Sequence, residues 1–129
     1  MSEKYSHSEL TSKIIKCFYT VYSTLGYGFL EKVYENSLKI ELQLSGLNVE
    51  AQKKIDVYYN DKAVGVYYAD LIVNNAVILE IKAAEGLCEE HEFQLINYLK
   101  ATDVEVGLLL NFGKKPEFKR KIYTNNYKK

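Results

Sequence analysis

Residues 67–83 read YYADLIVNNAVILEIKA. Two apolar runs rich in strand formers, one ending at Val73 and the other starting at Val77, flank Asn74, Asn75 and Ala76. This is the pattern of two antiparallel strands joined by a short turn. Each run carries charge among almost wholly apolar neighbours: Asp70 in the first, Glu80 and Lys82 in the second. Charges in such a setting are costly unless they are paired or bound to a cation. Glu80 and Lys82 lie two apart, so they share a face at a spacing of roughly 6.6 Å along the strand. Asp70 joins them only if the turn has an odd length. A three-residue turn sets Val73 opposite Val77 and Asp70 opposite Glu80, whereas a two-residue Asn-Asn turn sets Asp70 opposite Leu79 and splits the group across the sheet. The three-residue turn is the expectation.

Two carboxylates and an ammonium at one sheet end offer hard oxygen donors of the kind that suits Mg²⁺, which takes one or two carboxylates and keeps its waters. Lys82 beside such an ion would orient a water and stabilise charge on phosphate. The same three residues also fit a structural salt bridge. The E-x-K spacing alone decides nothing, because Glu117, Phe118 and Lys119 repeat it.

Upstream, the apolar residues Leu10, Ile14, Cys17, Phe18, Val21 and Leu25 recur at helical spacing over Ser8 to Leu25, with Gly26 as a stop. A second helix is expected from Phe29 to Ser45, closed by Gly46, and then a strand from Val49 to Tyr59. Another strand, Val64 to Val73, follows the NDKA segment. Downstream, Glu89 to Lys100 returns to helical spacing, with acidic residues in its first turn. Val104 to Phe112 is a continuous apolar strand, and FKRKIY in the tail is a candidate edge strand. The order α-α-β-β-β-α-β-(β) predicts an α/β (α+β) domain with helices packed on a central mixed sheet.

The 129 residues, 47% hydrophobic and 26% charged, describe a single domain over 1–129 with a core of useful size. Equal numbers of basic and acidic residues exclude a binder that works by bulk basicity. The neutral total nevertheless conceals a body of −6 over residues 1–113 and a tail of +6 over 114–129. Lys114, Lys115, Lys119, Arg120 and Lys121 lie among aromatic residues, a combination suited to nucleic-acid phosphates and bases. Residues 124–129 read as a disordered tail. Cys17 and Cys88 sit in unrelated contexts, which indicates free thiols and a cytoplasmic setting. No apolar run marks a signal peptide or a membrane span.

Gly28, Glu31 and Tyr34 form G-x-x-E-x-x-Y at the start of the second helix, and Glu35 lies on the same side as Glu31. Either carboxylate could reach the ion. Glu31 equally fits a first-turn anion on the helix dipole, with Tyr34 in the core.

GYGFLEKVYENSL (26–38), YYADLIVNNAVILEIKA (67–83) and EHEFQLINYLKATDVEVGLLLNFG (90–113), in this order, resemble the GxxExxY protein family, a branch of the PD-(D/E)XK nuclease superfamily. The resemblance covers about residues 7–123 and implies a restriction-endonuclease-like core. It implies Asp70 and Glu80 as metal ligands, joined by the Ile81 carbonyl and Glu31, with Lys82 as the catalytic lysine. Gln94 and Tyr98, at i and i+4 on one helix face, resemble an element that lines the active site in related exonucleases. His91, Glu35 and Tyr34 are accessory candidates. Ala69 stands where the superfamily's name has proline. The implied activity is hydrolysis of nucleic acid, DNA before RNA, with Mg²⁺ or Mn²⁺ as substitute. With no sequence-reading module in the chain, specificity would come from a homodimer or a partner protein. The rival class is a noncatalytic binding module that keeps the fold.

Overall fold

A computed structural model describes residues 7–128. Its elements follow in the order α1 (Ser8–Leu25), α2 (Glu31–Leu44), β1 (Val49–Tyr59), β2 (Lys62–Val73), β3 (Val77–Lys82), α3 (Glu89–Lys100), β4 (Val106–Phe112) and β5 (Pro116–Ile122). The five strands form one sheet in sequence order. β1, β2 and β3 are an antiparallel meander, β4 runs parallel to β3 across the α3 crossover, and β5 returns antiparallel to β4. This mixed α+β arrangement is consistent with the restriction-endonuclease-like fold. Among the described residues, no helix is long and apolar enough to cross a membrane.

The sheet is covered on both faces. Ile14, Phe18 and Val21 of α1 and Tyr34, Leu38 and Leu42 of α2 pack with Leu71, Leu79, Ile81, Leu108 and Leu110 in one core. Leu95, Tyr98 and Leu99 of α3 pack with Ile72, Ile78 and Leu109 in the other. A Cβ on Gly107 would collide with the Leu95 side chain, so this glycine lets α3 approach the sheet closely.

Element ends shift where turn chemistry overrides periodicity. α2 begins at Glu31 rather than Phe29, because Gly28 has φ 112° and the chain is still extended at Leu30. β2 begins at Lys62, because Asn60 and Asp61, with φ 50° and 62°, close a two-residue hairpin turn. Between β2 and β3 the turn has three residues and Val73 pairs with Val77, the register that the odd-length turn requires. Asn74 braces it by accepting the Asn48 amide at 2.9 Å. The segment after β5 does not trail away over its described part: Asn125–Tyr127 form a 3-10 turn. There the Lys128 ammonium donates to the carbonyls of Thr102 at 2.8 Å and Val104 at 2.7 Å. Lys129 lies outside the described residues.

Besides a register shift between Val57 and Tyr58, strict alternation fails in the middle of the β1–β2 hairpin. In β1, Val49 and Ala51 pack on the α1–α2 core while Ile55 belongs to the α3 core. In β2, Leu71 and Val73 lie in the first core and Ala69 in the second. All are odd positions, which an uninterrupted strand would keep on one face. The reversal falls between the pairs Ala51↔Leu71 and Lys53↔Ala69, where Gln52 and Asp70 stand opposite each other and Gln52 has φ 52°. Beyond this point the hairpin turns over α3, bringing Tyr67 to Tyr98 with ring centroids 5.6 Å apart.

Tyr34 is an architectural residue. Its ring is fully buried and stacks on Phe112 at 4.4 Å. Its hydroxyl donates to the Gly26 carbonyl at 2.7 Å and accepts the Phe29 amide at 3.2 Å, closing the α1–α2 loop. Tyr34→Phe keeps the stacking but strands both backbone groups. Urea unfolding should show a loss of about 1–3 kcal/mol with an unchanged m-value.

Candidate active site

The backbone ladder between β2 and β3 ends at Leu71↔Leu79. Asp70 and Glu80 come next, and there carboxylates replace the ladder. The Asp70 amide donates to Glu80 Oε2 at 2.9 Å, and the Ile81 amide donates to Asp70 Oδ2 at 2.7 Å. The two strands part around a pair of acids, each held by a backbone N–H beside the other. Glu80 is only 4% exposed.

Burial and mutual repulsion dominate the electrostatics. The Glu80 carboxyl is pushed up to about 8, first by desolvation and then by the charge of Asp70. The Asp70 amide and Lys82 act in the opposite direction. Asp70 is also raised, mainly by desolvation, against the Ile81 hydrogen bond. The charges of Glu35 and Glu31 push it further up and Lys82 pulls it down. Both shifts run in the same direction, so burial and mutual repulsion favour a proton shared by the coupled pair.

Helix α2 brings two carboxylates to this end of the sheet. Glu31 Oε2 accepts the Ala83 amide, just past β3, at 3.4 Å. Glu35, only 5% exposed, is bound by Lys32 at 2.9 Å and by Gln52 Nε2 at 3.1 and 3.2 Å. Gln52 thus ties the face reversal of β1 to α2. Its role is hidden in the sequence, because apolar residues occupy odd positions on both sides of it and the alternation looks continuous.

From the opposite side, α3 presents Gln94 and Tyr98. Gln94 Nε2 donates to the Tyr98 hydroxyl at 2.8 Å. That hydroxyl is pushed up to about 12 by burial and by the charge of Glu80, so it lies within the field of the acidic pair.

Other expected contributors are engaged elsewhere. His91 Nδ1 accepts the Cys88 amide at 3.3 Å and caps its own helix. Lys119 pairs with Glu92 at 2.9 Å, and Lys121 pairs with the same carboxylate. Arg120 lies between them on β5, while Lys114 and Lys115 are at the β4–β5 turn. The segment expected as a basic tail is thus largely an edge strand, with two of its charges already matched by α3. Both cysteines are free thiols, Cys17 buried and Cys88 exposed.

A second feature not foreseen from the sequence is Asn111, fully buried on β4. Its Oδ1 accepts the Ala84 amide at 2.9 Å and its Nδ2 donates to the Ala84 carbonyl at 3.0 Å. Glu117, from the second E-x-K, accepts the Leu87 amide at 3.0 Å. Together they pin the loop that follows Lys82. A lone polar residue inside an otherwise apolar strand was the available signal.

Among the described residues, no group of three His, Cys, Asp or Glu side chains is placed to hold a metal ion. Glu31 is therefore not assembled with Asp70 and Glu80 into a three-carboxylate cage. The pair alone is two hard oxygen donors under mutual repulsion, a donor set that fits a divalent cation retaining several waters.

A family model described as the PD-(D/E)XK nuclease superfamily matches residues 8–121. A solved structure titled "Crystal structure of SSO0001" superimposes with a TM-score of 0.57 at 21% identity, covering 94% of this chain and 60% of that one. At that identity the likeness is one of fold. No curated protein matches the chain.

Protonation of Glu80 bears on stability with a definite sign. Folding lifts this carboxyl from an ordinary 4.5 to about 8, so the protonated form favours the fold. That contribution is complete below about pH 4.5 and is lost as pH rises to about 8. In metal-free buffer, the wild type should lose up to a few kcal/mol across this window, with the Glu80 titration contributing a slope of at most about 1.4 kcal/mol for each pH unit. Glu80→Gln should flatten that slope when both are unfolded in urea at successive pH values.

Proposed function

The chain belongs to the PD-(D/E)XK nuclease superfamily, and on that premise we propose that it hydrolyses phosphodiester bonds in nucleic acid, DNA in preference to RNA, with Mg²⁺ as cofactor and Mn²⁺ as substitute. The observation that carries the reading is the parting of β2 and β3 around Asp70 and Glu80, with Lys82 two residues further on. Within the superfamily we assign it to the GxxExxY family. In support, Gly28 sets the entry to α2, Glu31 reaches Ala83, and Tyr34 closes the loop before the helix.

Asp70, Glu80 and the Ile81 carbonyl would hold the ion, with Glu31 outside this inner set. When bound, the ion supplies a Lewis acid for a phosphate oxygen and a water of lowered pKa. Lys82 positions the attacking water and stabilises the charge gathering on the phosphoryl oxygens. Gln94 and Tyr98 orient the substrate from the α3 side. The backbone amides of Asp70 and Ile81 hold the two carboxylates in place through the reaction, so little reorganisation is needed.

The chain spans 60% of the length of the solved structure it matches. We assign specificity to a second copy or a partner protein. The free thiols are compatible with the reducing cytoplasm, to which we assign the protein.

Plasmid, single-stranded DNA and RNA incubated with Mg²⁺ or Mn²⁺ should be cleaved by the wild type. Glu80→Ala and Lys82→Ala should each lower the rate at least about a hundredfold. Cleavage that survives both substitutions would refute the assignment. Nucleic-acid binding without any cleavage would favour the noncatalytic module.

Metal binding offers a second check. Because burial and the charge of Asp70 push the Glu80 carboxyl up to about 8, binding near neutral pH should release a proton. Calorimetry in buffers of different ionisation enthalpy should detect that proton, with apparent affinity rising about tenfold per pH unit below 8.

A further inference from the structure

Where the outer β1–β2 hairpin turns over α3 it borders a half-open cavity of about 440 Å³, lined by Asp56, Tyr58, Tyr67, Asn97, Tyr98 and Lys100 among others. That volume lies within the roughly 300–1,000 Å³ usual for small-ligand sites. Tyr67 is 49% exposed and Tyr58 is 62% exposed, although both are large aromatic rings. Tyr98 connects the cavity to the acidic pair, since it lines the one and packs in the α3 core with Ala69, the chain neighbour of Asp70.

We propose that this cavity is a subsite for an unpaired nucleobase of the substrate strand, which makes single-stranded or locally unpaired nucleic acid the preferred substrate class. The inference rests on the nuclease reading for its position beside the reacting phosphate. The chemistry of the lining fits such a ligand. Tyrosine rings offer stacking faces that accept any base. The Asn97 side-chain amide supplies a donor and an acceptor for a base edge. Lys100, at the exposed end of α3, supplies a cation for the adjoining phosphate. Asp56, the acidic residue in the lining, is balanced by Lys54 at 3.7 Å. A base within a duplex keeps its faces covered by its neighbours, so one that stacks on an exposed face of these rings must already be out of the stack.

The test measures binding in EDTA, which separates it from hydrolysis. Labelled single-stranded and duplex oligonucleotides of roughly ten nucleotides are titrated by fluorescence anisotropy, in DNA and RNA forms, with a second set carrying 2-aminopurine. Tyr67→Ala should weaken single-strand binding on the order of tenfold, leave duplex binding unchanged, and abolish the 2-aminopurine quenching that the wild type produces. Tyr67→Phe, which keeps the ring, should behave as the wild type does, and Tyr58→Ala should repeat the single-strand loss.

Unchanged single-strand binding in both alanine variants would overturn the proposal, as would equal losses for single strand and duplex. A wild-type dimer that Tyr67→Ala dissociates in sedimentation would also overturn it, by assigning the face to a second copy. Base quenching without any metal-dependent cleavage would leave the subsite standing and remove the nuclease reading. Cleavage with no base quenching would do the reverse.

Discussion

A strand pair that separates leaves backbone amides without partners, and buried amides must find acceptors. Here the amides of Asp70 and Ile81 find them in the carboxylates of Glu80 and Asp70. That exchange sets much of what surrounds it. The ladder is stable up to Leu71↔Leu79 because apolar residues cover both of its faces. Past that point the same hydrogen-bond demand is met only by placing two acids side by side in a poorly hydrated place. The cost is visible in both carboxyls, whose protons are held more tightly than in water. A site that resists full ionisation of its own acids favours a cation, and the same geometry that completes the fold sets the two oxygen donors side by side.

The flanking elements follow from this parting. Beyond Gln52 and Asp70 the hairpin has exchanged its faces, so its outer half leans on α3 instead of continuing the sheet plane. Glu35 is drawn into the same corner, where Lys32 balances its charge and Gln52 donates hydrogen bonds to it. On the far side of Lys82, Asn111 and Glu117 hold the next loop by backbone hydrogen bonds, which limits how far the end of β3 can move. The formal neutrality of the chain resolves into contacts as well. Basic residues of β5 meet the acidic first turn of α3 through Glu92.

Much of this was legible in the residues themselves. Helix boundaries at Ser8, Leu25, Glu89 and Lys100 follow from apolar spacing alone. Counting along YYADLIVNNAVILEIKA leaves a two-residue or a three-residue turn, and the expected three-residue turn, which brings Asp70 to Glu80, is the one observed. Both readings rest on local covalent geometry: 3.6 residues per helical turn, two per strand repeat, and an odd or even loop.

What the sequence could not settle was where each polar side chain would spend its hydrogen bonds. His91 looks like a site residue by composition, yet it caps α3. Tyr34 belongs to a motif that carries an acid, yet it closes a loop. Lys119 and Lys121 read as phosphate ligands until Glu92 is brought beside them from 27 residues away in one case. Gln52 and Asn111 gave little or no periodic signal, and each bonds to a segment remote in the chain. Element type and order, and the β2–β3 register expected of an odd-length turn, were therefore legible in the sequence alone, because they depend on neighbours along the backbone. The face reversal, the buried pair's proton and the division of charges were decided by tertiary structure, because they depend on which distant groups share a small, dry volume.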